Sequence, residues 1–221
     1  DKEIFKLNGE DHIKGFTTNP SLMRKANIKN YEIFAKDLLS KIKIKPVSFE
    51  VFSDELKTME KQAEKIATWG RNVNVKIPIT NTKGVSTCEI IQKLSSKGIT
   101  CNITAIFTLD QLKGVVDILH KNTPAILSVF SGRIADSGID PEKIILDAVN
   151  YAKTKPHSEV LWASTREILN IFQAEKVGCQ IITVPHSMLG KFNSIGKKLD
   201  KYSIETVKDF YNDAQAAGYK L

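Results

Sequence analysis

Seven short runs rich in β-branched and aromatic residues recur along the chain, separated for most of its length by amphipathic stretches. The runs are HIKGFTTN (12–19), PVSFEVF (46–52), NVNVKIPIT (72–80), ITCNITAIF (99–107), PAILSVFSGRI (124–134), EVLWASTR (159–166) and CQIITVPH (179–186). Between them, 30–42, 54–70, 84–98, 108–121 and 140–154 place apolar residues at helical spacing. Gly70, Gly98 and Gly178 stand where helices should stop. Such a strand–helix repeat predicts parallel strands joined by crossover helices. The opening DKEIFKLNGEDHIKG reads as a short helix and loop, and 199–221 as a C-terminal helix. No linker, low-complexity tract or shift in composition interrupts the pattern, so one domain spanning 1–221 is expected.

Seven strands fit an open doubly wound sheet, whereas a closed (β/α)8 barrel needs eight. The strand faces favour the barrel. Side chains alternate along a strand with period two. In 72–80, Val73, Val75, Ile77 and Ile79 share one face, while Asn72, Asn74, Lys76 and Thr80 share the other. The same alternation sets Thr17 with Asn19, Ser48 with Glu50 and Phe52, and Asn102 with Thr104. It also sets Ser128 with Phe130, and Ser164 with Arg166. Six strands thus carry polar groups on one face at or beyond mid-strand, where a barrel lines its active site. A barrel whose first strand lies upstream of Asp1 is the expected fold.

Lys76 between Val75 and Ile77 has two readings. Burial disfavours an ammonium, and a neutral amine attacks carbonyls to form a Schiff base, an electron sink for carbon–carbon cleavage. The other reading is a buried ion pair with Glu50. Glu50 in turn is either that partner or a general acid/base acting through a water held by Thr104. Asn19, Asn102 and Ser128 suit sugar hydroxyls, though each alone is also an ordinary satisfied core residue. Arg133 and Arg166 suit a phosphate, because a guanidinium matches its oxygens in bidentate fashion. His12, His120, His157 and His186 fit no metal spacing, and Trp69 and Trp162 read as packing residues. GRIADSG (132–138) lacks the glycine order of a nucleotide loop.

Composition narrows the class further. With 42% hydrophobic and 26% charged residues in 221, the chain suits a globular domain with a sizeable core. No apolar run approaches the roughly 18 residues that cross a bilayer, and no secretory signal opens the chain. Three cysteines without metal or redox spacing read as thiols in a reducing compartment, which points to the cytoplasm. The net charge of +7 comes from scattered lysines with acids between them, not from a nucleic-acid signature. A basic surface also suits small phosphorylated substrates.

GFTTNPSLM (15–23), NVKIPIT (74–80), ITCNITAIFTLDQ (99–111), SVFSGRI (128–134) and LWASTREI (161–168) together resemble the transaldolase family, collinearly over nearly the whole chain. The resemblance implies a class I aldolase-type (β/α)8 barrel that needs no metal or cofactor. Its reaction would move a dihydroxyacetone unit from a ketose phosphate to an aldose phosphate, as in the non-oxidative pentose phosphate pathway. By motif, Lys76 would be the Schiff-base lysine, Glu50 its acid/base partner and Thr104 a holder of the catalytic water. Thr17, Asn19, Asn102 and Ser128 would contact the donor, Phe130 would line the site, and Arg133, Ser164 and Arg166 would hold its phosphate. The related fructose 6-phosphate aldolases typically carry Gln at the position of Glu50 and Tyr at that of Phe130. They also lack an asparagine at the position of Asn102, so these three residues favour transfer over simple cleavage. The family's proton-transferring aspartate sits on a first strand in a motif like LDTAD. Spacing to TTNP matches Asp1 to the aspartate after that strand, so the catalytic one is expected upstream. Small members of the family often pack the C-terminal helix on a neighbouring subunit, which implies a homo-oligomer. A barrel that binds sugar phosphates without turning them over is the alternative of a different class.

Overall fold

The computed structural model describes residues 2–220, which separate into two compact units, one ending at Thr183 and one beginning at Val184. The first unit is a curled parallel sheet with helices. Its strands are β1 (Phe16–Thr17), β2 (Val47–Glu50), β3 (Val73–Pro78), β4 (Cys101–Ile106), β5 (Ala125–Val129), β6 (Ser158–Trp162) and β7 (Ile181–Ile182). Its helices are α1 (Lys2–Asn8), α2 (Pro20–Lys25), α3 (Tyr31–Lys41), α4 (Leu56–Ala67), α5 (Cys88–Ser96), α6 (Leu109–Ile118), α7 (Ser131–Asp136), α8 (Glu142–Ala152) and α9 (Leu169–Lys176). The second unit holds α10 (His186–Leu189), a 3₁₀ turn (Gly190–Ser194) and α11 (Leu199–Ala217).

The seven strands lie in chain order, each parallel to the next. A doubly wound sheet reverses strand order at a switch point. No reversal occurs among the described strands, so right-handed crossovers place successive helices on the same side. That is the winding of a (β/α)8 barrel, and the fold is of that type. The outer faces carry the core. Val47, Phe49, Val75, Ile77, Ile103, Leu127, Val160 and Trp162 are buried against Leu38, Ala63, Ile91, Leu112, Val116 and Ala148 of the helices. The inner faces carry Ser48, Asn74, Lys76, Asn102, Thr104 and Ser128, all buried.

Several elements differ from their sequence reading, each for a local reason. The first and last strands keep only two ladder residues each instead of eight. Asn19 leaves the strand to cap α2, its carbonyl oxygen accepting from Leu22 N at 2.8 Å, with Pro20 in the first turn. The strand expected to reach residue 134 stops at Val129, and SGRIAD winds into α7. A short apolar run cannot by itself tell strand from helix. The helix expected from residue 84 starts at Cys88, because Thr80 and Ser86 form an antiparallel bridge and Gly84 turns at φ 77°. Asn72, although in phase with Lys76, ties the start of β3 to the loop between α3 and β2 by donating to the carbonyls of Ile42 and Lys45. Gly98 and Gly178, at φ 76° and 72°, end α5 and α9 as expected.

Two interruptions shape the upper rim. Ala105 sits at φ 60° inside a bulge, so Ile103 pairs with Leu127 but Ile106 pairs with Val129. The extra residue breaks the alternation and sends Ile106 into the core although it lies two positions after Thr104. At the end of β6, Ser164 takes φ 66° and its carbonyl meets Gly132 so closely that a Cβ there would lie 1.6 Å from the oxygen. Only glycine fits. Gly132→Ala is expected to force α7 and the β6 loop apart and to destabilise the protein by about 3 kcal/mol, read as a lowered urea midpoint.

Candidate functional site

Glu50 and Lys76 are direct register partners on β2 and β3, and their side chains meet: Lys76 Nζ lies 3.0 Å from Glu50 Oε2. Both are largely enclosed, with side-chain exposures of 10% for Lys76 and 16% for Glu50. Nζ also donates to the carbonyl of Thr18 at 3.2 Å. The ammonium therefore has two acceptors in a confined interior, which offsets its loss of water. The ion pair anticipated from the sequence is formed, and it is compatible with either role for the lysine.

A second polar group lies beside the pair in the ladder. Asn102 is the register partner of Lys76 on β4. Its amide donates to Ser48 Oγ at 3.0 Å and accepts from Ser128 Oγ at 2.7 Å, joining β2, β4 and β5 across the sheet's inner side. Thr104, 2% exposed, has no hydrogen-bond partner for Oγ1 among the described residues. A buried hydroxyl left open this way is rare and marks a position where a water or ligand group can dock.

At the rim after β5 and β6 the aromatic and cationic residues gather. The Phe130 ring lies 5.7 Å from that of Phe107, and the Arg133 guanidinium stands 5.8 Å from the Phe130 centroid. Arg166 Nε donates to both carboxylate oxygens of Asp136 at 3.1 Å, and its Nη2 binds the same group. This hydrogen bonding, aided by the charges of Arg166 and Arg133, holds the Asp136 carboxyl below its ordinary range. Ser164 is half-buried between the two arginines in sequence order, on the strained turn already described.

The predicted residues thus fall into two groups. Lys76, Glu50, Asn102, Ser128 and Thr104 share the inner face of β2 to β5, whereas Phe130, Arg133, Ser164 and Arg166 occupy the β5 and β6 ends. Asn19 is committed to its helix cap, and the half-buried Thr17 hydroxyl lies a long 3.5 Å from the Thr18 carbonyl. Thr18, Tyr31 and Asp136 are the functional candidates that alternation did not single out. Thr18 acts through its backbone, and Tyr31 reaches the strand ends from a helix, so neither leaves a periodic signal. Burial pushes the Tyr31 hydroxyl above its ordinary range, against its hydrogen bonds with Thr18 and the Glu50 backbone. A separate cleft of about 260 Å3 is lined by Pro20, Met23, Arg24, Ile28, Tyr31 and Phe52.

A parallel barrel-type sheet with an enclosed lysine–carboxylate pair on its inner face defines this chain as a (β/α)-barrel protein with a polar interior site. Comparison with known proteins gives the family. Residues 2–221 match the model of the Transaldolase/Fructose-6-phosphate aldolase family, and the chain belongs to it. A probable transaldolase of Nitrosopumilus maritimus is 34% identical over 194 residues, 86% of this chain and 82% of that protein. One of Dehalococcoides mccartyi is 36% identical over 80% of this chain and 79% of that protein. One of a Thermoanaerobacter species is 32% identical over 99% of this chain and 95% of that protein. Among solved structures, a mandelate oxidase carrying a monooxide FMN adduct superposes with a TM-score of 0.51 at 14% identity over 70% of this chain. A mandelate oxidase with 3,3-difluoro-2-hydroxy-3-phenylpropionic acid gives 0.50 at 12% identity over 68%. The chain spans about half the length of each, 51%, and the likeness shows the fold alone. No described helix is long and apolar enough to cross a membrane.

Two outcomes follow from the electrostatics. Glu50→Ala leaves the Lys76 ammonium enclosed without its carboxylate and should cost about 3 kcal/mol. Adding Lys76→Met to that variant should recover most of the loss in urea unfolding. For Asp136, a folded pKa below the unfolded one means that the Arg166 pair stabilises above the ordinary carboxylate range. That contribution declines as pH falls below the ordinary carboxylate value and is gone once pH has passed through the lowered one. Carboxyl 13C titration should place Asp136 below the ordinary aspartate range, and Arg166→Ala should return it towards that range.

Proposed function

We propose that the chain is a transaldolase, a transferase that moves a dihydroxyacetone unit between sugar phosphates through a Schiff base on Lys76. The observation that carries this reading is the enclosed Lys76–Glu50 contact at 3.0 Å, in a chain of the transaldolase/fructose-6-phosphate aldolase family. The donor would be sedoheptulose 7-phosphate or fructose 6-phosphate, and the acceptor glyceraldehyde 3-phosphate or erythrose 4-phosphate. The deprotonated Lys76 amine attacks the ketose carbonyl and water leaves; the hydroxyl on the far carbon of the breaking bond then gives up its proton, the iminium accepts the electron pair of the carbon–carbon bond, and the other half departs as an aldose phosphate. The enamine left behind adds to the acceptor aldehyde, and water then releases the new ketose. Glu50, beside Nζ, would relay the protons of imine formation and hydrolysis through a water that the open hydroxyl of Thr104 would hold.

Asn102 and Ser128, already joined to each other, present hydroxyl-matching groups beside the lysine. Phe130 gives the sugar an apolar wall, while Arg133 and Arg166, with Ser164, would receive the phosphate. Asp136 then serves as the counter-ion that the phosphate displaces from Arg166. No metal or organic cofactor enters this chemistry. The pentose phosphate pathway, a cytoplasmic location and assembly with further copies of the chain belong to the same proposal.

Incubation with fructose 6-phosphate and borohydride, followed by peptide mapping, tests it. A reduced ketose adduct on Lys76, absent from Lys76→Met, is the expected result, and ketose turnover should require an added aldose phosphate. Free dihydroxyacetone without acceptor would identify an aldolase instead. No adduct at all would leave a sugar-phosphate-binding barrel as the better description.

A further inference from the structure

The junction of β1, β2 and α3 departs from a regular ladder by a single rung. Phe16 N donates to the Pro46 carbonyl and Thr18 N to the Ser48 carbonyl. In a parallel pair these evenly spaced bonds alternate between strands. The next rung would therefore run from Glu50 N–H to the Thr18 carbonyl. That rung is absent. The Thr18 carbonyl accepts instead from Lys76 Nζ at 3.2 Å, and Glu50 N–H donates to the Tyr31 hydroxyl at 2.8 Å.

The protons in this junction can be assigned by counting. Thr18 Oγ1 has one proton, and at 3.0 Å it donates it to the Ser48 carbonyl. Its 3.1 Å contact with Tyr31 must then be acceptance from the phenol. Tyr31 therefore donates to Thr18 while accepting from Glu50, and every hydrogen in the circuit is used. The circuit leaves β2 at Glu50, passes through α3 and β1, and returns to β2 at Ser48. The Tyr31 ring is held independently, edge-on to Phe49 at 6.0 Å, Phe52 at 6.0 Å and Trp69 at 5.7 Å.

We infer that Tyr31 is a positioning residue for the proposed reaction: by taking the Glu50 N–H, it frees the Thr18 carbonyl for Lys76 and fixes the strand end from which the Glu50 carboxylate reaches Nζ. It touches neither reacting atom. A helix residue thus supplies the ladder acceptor that lets a backbone carbonyl serve the site. Without the hydroxyl, Glu50 N–H is either left unsatisfied or closes onto Thr18 and takes the acceptor from Lys76. Both outcomes misplace the pair.

This inference rests on the transaldolase reading, and the test keeps the two apart. Tyr31→Phe keeps the ring contacts, so the variant should still fold cooperatively, its melting point lowered by no more than a lost buried hydrogen bond costs. Its kcat should fall about tenfold with KM within twofold, as loss of alignment and not of substrate binding. The Glu50 amide proton resonance should shift as its acceptor changes. A drop in kcat with an unmoved Glu50 amide overturns the inference, since Tyr31 would act elsewhere. A moved amide with unchanged kcat also overturns it, since the contact would serve only the fold. If the parent protein forms no Lys76 adduct with fructose 6-phosphate, the proposed reaction fails and the positioning role falls with it. A failing Tyr31→Phe test beside a parent that does form the adduct overturns the positioning role alone.

Discussion

An ammonium group inside a protein is tolerable only where acceptors replace the water it has lost, and much of this fold bears on meeting that demand at Lys76. One acceptor is a carboxylate that arrives because β2 and β3 are parallel and in the register that sets Glu50 beside Lys76. The other is a carbonyl that is available because β1 breaks off after Thr17. A slip of one residue in β3 would turn the lysine into the aliphatic layer between sheet and helices, where no acceptor waits, and a slip in β2 would turn Glu50 away from it. The outer layer enforces the register from the other side. Val75 and Ile77 are fully buried among helix residues, and a slip would expose them while burying Asn74 and Lys76 in apolar surroundings.

The same logic explains why departures from regular structure concentrate at the strand ends. Regular strands supply alternating side chains, but they occupy their own backbone groups with the ladder. A site that needs a free carbonyl or a change of face must interrupt the ladder. The bulge at Ala105 does this after Thr104, and the turn at Ser164 does it after β6. Tyr31 repairs the interruption after Thr17 by satisfying the amide that the missing rung would orphan. Each interruption places a non-glycine residue at positive φ or calls in a side chain from another element. Such strain persists only where the surroundings hold it in place. Gly132, fitted against the Ser164 carbonyl, is one of those supports.

Alternation made the central layer legible in the sequence. Lys76, Glu50, Asn102, Thr104 and Ser128 lie mid-strand or at the final ladder residue, where period two still holds, and all five share the inner face. It failed two residues beyond the strand ends. Asn19 turned from a strand residue into a helix cap, Phe52 swung out to meet Tyr31 edge-on, and SGRI became a helix turn. Thr18 escaped notice because the group it offers is a carbonyl, which every residue possesses. Tyr31 escaped because a tyrosine at the start of an amphipathic helix looks like packing until the Glu50 amide is seen to lack a ladder partner. Strand order was legible only as a repeat. The absence of a reversal, which separates barrel winding from a doubly wound sheet, is a property of space and not of spacing.

The two groups of site residues also differ in their electrostatic setting, and this bears on what each can do. The Lys76–Glu50 pair is enclosed, so a change in either charge is weakly screened and strongly felt by the other. The Arg166–Asp136 pair stands about half exposed, with side-chain exposures of 47% and 52%, where water and salt screen it. An exposed pair is loosely held and easily exchanged. A phosphate dianion carries more charge than the Asp136 carboxylate and more oxygens for the guanidinium fork, so it can compete for Arg166 without a large desolvation penalty. The enclosed pair has no such competitor, and the only way to discharge it is to move a proton or to make a covalent bond. Binding by exchange at the rim and chemistry by proton transfer in the interior are therefore what these two environments respectively favour.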